Sequence, residues 1–149
     1  VVENIHFFGS VYGLDLGTLE ERKRWVLEMA GLSGKEKTLA AELSGAMRQR
    51  LSLGTSLLHH PDILFLDEPT SGVDPVSRRA FWEMIRLVAG SGTAVFVTTH
   101  YLKEAENCHK VAFLHQGKIL TLDSPQRLKT AYNTGSLEDV FLHLMEGKA

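Results

Sequence analysis

The sequence predicts an α/β fold, with a helical lobe over residues 1–59 and a parallel-sheet lobe over residues 60–149. Three observations lead there. In the first lobe apolar residues recur at helical spacing. In the second, residues 62–100 read as strand, helix, strand, with ILFL and TAVFVTTH as short continuous apolar runs, the pattern of parallel strands covered on both faces. The first of those strands runs into two adjacent acids, Asp67 and Glu68, which must emerge at a sheet edge because stranding carboxylates in a core costs more than a strand contributes. That carboxyl edge is where open α/β sheets bind ligands.

The elements follow in order. VVENIHFFGSVYGL places Val1, Ile5, Phe8 and Tyr12 on one helical stripe, widened by Phe7 and Val11, and Gly13 can stop it. A second helix is expected from Thr18, with Glu21 completing a capping box and Trp25, Val26, Met29 and Leu32 on one side. A third runs from Ser44 to about Leu58, closed off by Pro61. After the first strand, Asp74 can cap and Pro75 can open a helix carrying Phe81, Met84, Ile85 and Val88. Residues 101–107 read as a short helix, VAFL-HQGK-ILTL as a hairpin turning at Gly117, and the chain from Ser124 onward as helical with Leu128, Leu137, Val140, Phe141 and Leu144 apolar.

Composition narrows the function. Hydrophobic and charged fractions of 44% and 23% are those of an ordinary globular chain. A formal charge of -2 leaves no basic footprint for nucleic acid. A single cysteine, Cys108, excludes an internal disulfide and a cysteine zinc site, and favours a reducing cytosolic setting. Residues 87–102 form the longest uncharged run and are too short and too polar to span a bilayer.

Chemistry concentrates at the strand ends. One carboxylate of the Asp67–Glu68 pair can hold a hard cation such as Mg²⁺ while the other polarises a water, side chains alternating along a strand. His100 ends the next strand at the same edge, within reach of a phosphoryl oxygen. Taken alone, an acidic pair reads first as a solvated loop start. Ser44 at a helix N-terminus favours an anion through free N–H groups and the helix dipole, and Gly45 lets a phosphate come close to the backbone. Alone, Ser44 reads first as a helix cap.

The array of motifs resembles the nucleotide-binding domain of ATP-binding cassette (ABC) transporters. LSGAM, residues 43–47, is similar to the signature; ILFLDE to the Walker B strand with its catalytic glutamate; PTSGVD to the D-loop; TTH to the switch-histidine segment. The resemblance implies a P-loop-NTPase-like sheet with a helical signature subdomain, with ATP and Mg²⁺ as cofactors. It implies Glu68 and His100 as catalytic residues, Asp67 as the metal ligand, and Ser44, Gly45, Ala46 and Asp74 as nucleotide-binding residues. The signature of one subunit is expected to cap the ATP of the other, so the partners implied are a second nucleotide-binding domain and a transmembrane permease subunit or domain. The implied location is cytoplasmic, on the inner face of the cell membrane. The opening helix and the ending SLEDVFLHLMEG look most like ATPase subunits of exporter-type (ABC-2) transporters.

The sequence departs from the family at Ala46 and Met47, where LSGGQ has glycine and glutamine. Ala46 adds a methyl beside the phosphate and Met47 removes an amide. Val73 for leucine in the D-loop is conservative. The larger departure is that no G-x-x-x-x-G-K-[ST] is present: the GK pairs at Gly34, Gly117 and Gly147 lack both the upstream glycine and the following hydroxyl. The chain is therefore expected to be the C-terminal portion of a cassette, with the P-loop half upstream, and to bind Mg-ATP weakly by itself. Two other readings stay open, a non-catalytic regulatory or interaction module and a cassette ATPase without a membrane partner. His59 and His60 are expected to be solvated rather than metal-binding, Arg48 and Arg50 to face solvent or an acid, and Trp25 and Trp82 to be core. Phe7, Phe8, Val11 and Tyr12 either pack on the Trp25 helix or widen into a docking surface for the membrane subunit.

Overall fold

The structure, a computed structural model, describes residues 1–146; the last three positions of the sheet lobe, including the final GK pair, lie outside the described residues. The chain forms two compact units, Val1–Thr98 and the residues from Thr99 onward.

In the first unit, α1 (Val2–Val11) ends where Gly13 takes φ 73°. Helix α2 (Leu16–Met29) starts two residues earlier than the capping-box pattern places it. Its N-cap is Asp15, whose carboxylate accepts from the Thr18 amide at 3.0 Å and the Thr18 hydroxyl at 2.6 Å. Aspartate is the stronger cap, being ionised as well as a good acceptor at the positive end of the helix. Helix α3 (Gly45–Ser56) follows a short 3₁₀ turn, Ala40–Glu42. The three helices bury Ile5, Leu19, Val26, Leu32, Leu51 and Leu58. Gly54 of α3 lies so close to α2 that an added Cβ would sit 2.6 Å from Val26 Cγ1.

Buried Arg22 joins α2 to α3 in a way the sequence did not announce. Its Nη2 donates to the Leu57 carbonyl at 2.7 Å and its Nε to the Leu58 carbonyl at 3.2 Å, tying the chain at the end of α3 to α2. Its guanidinium lies 4.2 Å from the ring of Trp25, which is half-buried rather than core. Trp82 is buried.

Strands β1 (Ile63–Asp67) and β2 (Ala94–Thr98) pair in parallel, with Ile63 opposite Ala94 and Asp67 opposite Thr98. Helix α4 (Pro75–Gly90) connects them, with Asp74 as N-cap and Phe81, Trp82, Met84, Ile85 and Val88 buried. The expected cover on both faces is found on one only. Ile63, Phe65 and Phe96 are exposed, Phe65 at 75%, and the Phe65 and Phe96 rings stack 5.2 Å apart. An unbroken apolar run records that both faces of a strand are oily; it does not supply the second layer.

In the second unit, α5 (Leu102–Ala105) precedes an antiparallel hairpin, β3 (Val111–His115) and β4 (Lys118–Asp123). Its two-residue turn, Gln116–Gly117, has both φ values positive at 47° and 73°, as the twist of a tight hairpin requires. The helical segment expected from Ser124 onward consists of two helices, α6 (Pro125–Ala131) and α7 (Leu137–Glu146). Asn133 at φ 53° turns the chain between them, and asparagine tolerates that conformation because its short amide bonds locally. Ala105, Val111, Phe113, Leu128, Leu137 and Val140 form the core of this unit.

Candidate functional site

At the carboxyl end of β1, Asp67 and Glu68 meet through one side chain. The Thr98 hydroxyl, opposite Asp67 in register, donates to Asp67 Oδ1 and accepts from the Glu68 amide at 3.0 Å; the Thr98 carbonyl accepts from that same amide at 3.1 Å. Strand alternation, expected to send the two acids to opposite sides, stops at Asp67. Glu68 has φ 42°, a left-handed conformation that costs an L-residue about 1–2 kcal/mol. The bonds from Thr98 hold it there, and the Ser71 amide closes the turn onto the Glu68 carbonyl at 3.1 Å. Residues kept in such conformations cluster at functional sites. Both acids are exposed.

The turn after Glu68 is anchored from α3. Gln49, two residues beyond the signature-like stretch, donates its side-chain amide to the carbonyl of buried Pro69. A cleft of about 270 Å³ opens between α3 and β1, lined by Gln49, Ser52, Phe65, Asp67 and Pro69 among others; Ser44, Gly45 and Ala46 do not line it. Neither Gln49 nor Thr98 stood out in the sequence beyond being part of a motif or next to one, because their partners lie 20 and 31 residues away.

Ser44 caps α3, its hydroxyl accepting from the Met47 amide at 3.3 Å. Ser44 and Gly45 are exposed, Ala46 is half-buried, and a Cβ at Gly45 would meet nothing within 4 Å. Internal packing therefore does not require glycine at position 45. Asp74 caps α4, accepting from the Val76 and Ser77 amides at 3.0 Å each. Its pKa is lowered, first by the Ser77 hydroxyl and then by the backbone amides of Ser77 and Val76. His100 is exposed in the second unit, with its ring 4.0 Å from that of Tyr101. His59 and His60 are exposed, and the His59 ring lies 4.0 Å from Tyr12. Arg48 donates to the Leu43 carbonyl at 2.5 Å, and the Nε of Arg50 is buried.

The donor set of Asp67, Glu68 and the Thr98 hydroxyl is all oxygen. No group of three or more His, Cys, Asp or Glu that could hold a metal occurs among the described residues. The all-oxygen donor set fits Mg²⁺, which takes one or two carboxylates and completes its shell with water and substrate phosphates.

Comparison with known proteins agrees along the whole chain. The ABC transporter family profile matches residues 1–71. The chain is 43% identical over 129 residues to the probable multidrug ABC transporter ATP-binding protein YbhF of Escherichia coli (strain K12), covering 87% of this chain and 22% of that protein. It is 38% identical over 131 residues to the Nod factor export ATP-binding protein I of Ralstonia nicotianae, covering 87% and 41%. It is 35% identical over 148 residues to ABC transporter G family member 23 of Dictyostelium discoideum, covering 99% and 21%. The chain thus spans about a fifth to two fifths of the length of these relatives. A solved ATP-binding subunit of an ABC transporter superposes over 96% of this chain and 61% of its own, with a TM-score of 0.80 at 24% identity, which establishes the α/β fold. Motif order, fold and relatives converge: the chain belongs to the ABC transporter family as part of an ATP-binding domain.

Proposed function

We propose that the chain serves within the ATP-binding and hydrolysing subunit of an ABC-type exporter. It contributes the signature at residues 43–47, the Walker B strand, the D-loop and the switch histidine. The observation that carries this reading is the Thr98 hydroxyl joined to both Asp67 and the Glu68 amide, which holds Glu68 in a strained, exposed conformation. A solvated loop start needs neither the strain nor the clamp.

In this reading Glu68 accepts the proton of the attacking water, its carboxylate fixed by the turn beneath it. His100 contacts a phosphoryl oxygen. Asp67 and the Thr98 hydroxyl would hold Mg²⁺, which when bound neutralises phosphate charge. Ser44, Gly45 and Ala46 present the N-terminus of α3 to the ATP of a second nucleotide-binding domain, and Asp74 stiffens the D-loop where the two domains meet. The exposure of Ser44 and Gly45, and their place outside the Asp67 cleft, support an arrangement in trans. The helical lobe, residues 1–59, meets a transmembrane permease through exposed Phe7 and Val11; residues 60–149 supply the catalytic portion. No helix among the described residues is long and apolar enough to cross a membrane, and we place the subunit at the inner face of the cell membrane through that partner.

The test uses a cassette completed by joining this chain to a P-loop-bearing segment. Glu68→Gln keeps shape and removes the proton acceptor, so ATP turnover should fall by roughly 10²–10⁴ with nucleotide binding retained. Unchanged turnover would remove Glu68 from the mechanism.

A further inference from the structure

The second unit buries a carboxylate beside the proposed switch histidine. Glu104 lies in a four-residue helix, too short to be stable alone, yet is only 4% exposed. Burying an ionisable side chain is costly unless its bonds repay it. Those bonds bracket His100. Glu104 Oε2 accepts from the Thr99 hydroxyl at 3.1 Å, on the residue before it, and the Glu104 amide donates to the Tyr101 carbonyl at 2.8 Å, on the residue after it. The bracket closes on itself, because the Tyr101 amide donates to Thr99 Oγ1 at 3.0 Å. Asn107 in turn donates to the Glu104 carbonyl at 3.0 Å, holding the short helix from its far end. Between these bonds the His100 ring lies against Tyr101.

We infer that Glu104, acting through Thr99, is the positioning residue that fixes the orientation of His100. The bonds that join Glu104, Thr99 and Tyr101 lie within residues 99–104, inside this unit. The core of the unit does not use the carboxylate; it is made by Val111, Phe113, Leu128, Leu137 and Val140. The value of the bracket to the protein rests on the proposed role of His100, whereas its existence does not.

The test is solution NMR on the intact 149-residue chain. The readouts are hydrogen exchange of the Tyr101 amide and the His100 ring shift induced by Tyr101. Thr99→Val removes the hydroxyl, and Glu104→Met removes the acceptor at similar volume. Thr99→Val, which removes the acceptor of the Tyr101 amide, should speed Tyr101 exchange about fivefold to tenfold, the worth of one hydrogen bond; Glu104→Met, which only frees the Thr99 hydroxyl, should speed it less; and both should move the His100 shift toward a solvent-averaged value. The methyl shifts of Val111, Leu128, Leu137 and Val140 should stay in place. Thr99→Ser and Glu104→Gln keep a hydroxyl and an acceptor oxygen, and should restore both readouts. If the two disruptive variants leave both readouts unchanged, or if all four variants shift the core methyls alike, the inference fails. A separate assay of His100→Ala in a completed cassette decides whether the held histidine takes part in turnover; a silent His100→Ala with an intact bracket would overturn that role alone.

Discussion

Glu68 and Glu104 show two ways of holding a carboxylate. Glu68 is exposed, and the fold constrains its backbone; Glu104 is buried, and the fold constrains its neighbours through it. Cys108 reports on the second. Its thiol pKa is raised, first by burial and then by the Glu104 carboxylate. The thiolate is the reactive form, so a raised pKa means less of it at any given pH. Alkylation of Cys108 should therefore reach half its maximal rate above the ordinary thiol value of about 8.5. Glu104→Gln removes the second cause and leaves the first, so the rate profile should move partway back to lower pH. A profile centred at the ordinary value in the parent chain would contradict the burial. Asp67, Glu68, Ser44 and Asp74 were legible as candidates because each stands at or beside a strand or helix end, where sequence pattern is sharp; His100, expected to end the second strand, lies two residues past the end of β2 at Thr98. Thr98, Gln49 and Glu104 were not legible, since what distinguishes them is a partner brought near by folding.

At the level of elements, the helices and strands were legible wherever periodicity or punctuation was strong, as in α4 with Pro75 after Asp74 or the hairpin turning at Gly117. The errors came where two signals competed. Asp15 displaced Thr18 as the cap of α2, and between α6 and α7 the left-handed turn falls on Asn133 rather than on Gly135, the glycine in that break. Packing between elements is a further step removed from sequence, and Gly54 illustrates it. As a mid-helix glycine it costs α3 about 1 kcal/mol relative to alanine, which invites Gly54→Ala as a stabilising change. The added methyl would meet Val26, fully buried and stiff at χ1, at 2.6 Å. Overpacking of this kind costs about 1–3 kcal/mol, so the steric term should win. Gly54→Ala should lower the thermal midpoint by a few degrees, at about 2–4 °C per kcal/mol for a chain of this size. A rise in midpoint would show that α2 and α3 can move apart.

Across the whole molecule, the fold class was readable because the strand–helix–strand run and the helical spacing each point to a single architecture, and the parallel register of β1 and β2 follows from it. The uncovered sheet face was not readable, because oiliness in a strand says nothing about which chain supplies its cover. That face has a colloidal consequence. Phe65 is 75% exposed and stacked on Phe96, beside exposed Ile63, on a sheet of only two strands. Removing the Phe65 ring costs the folded state little, since most of it already meets water, yet the same ring adds adhesive area to every encounter between two molecules in solution. Folding stability and solubility are thus set by different residues. Phe65→Lys should leave the thermal midpoint within about 2 °C, as for other exposed positions, while light scattering shows the chain staying monodisperse to severalfold higher concentration and higher sulfate. If the variant instead self-associates as readily as the parent, the stacked phenylalanines do not govern its stickiness. If it does not, the solubility limit of this chain is written in two side chains that its core never uses.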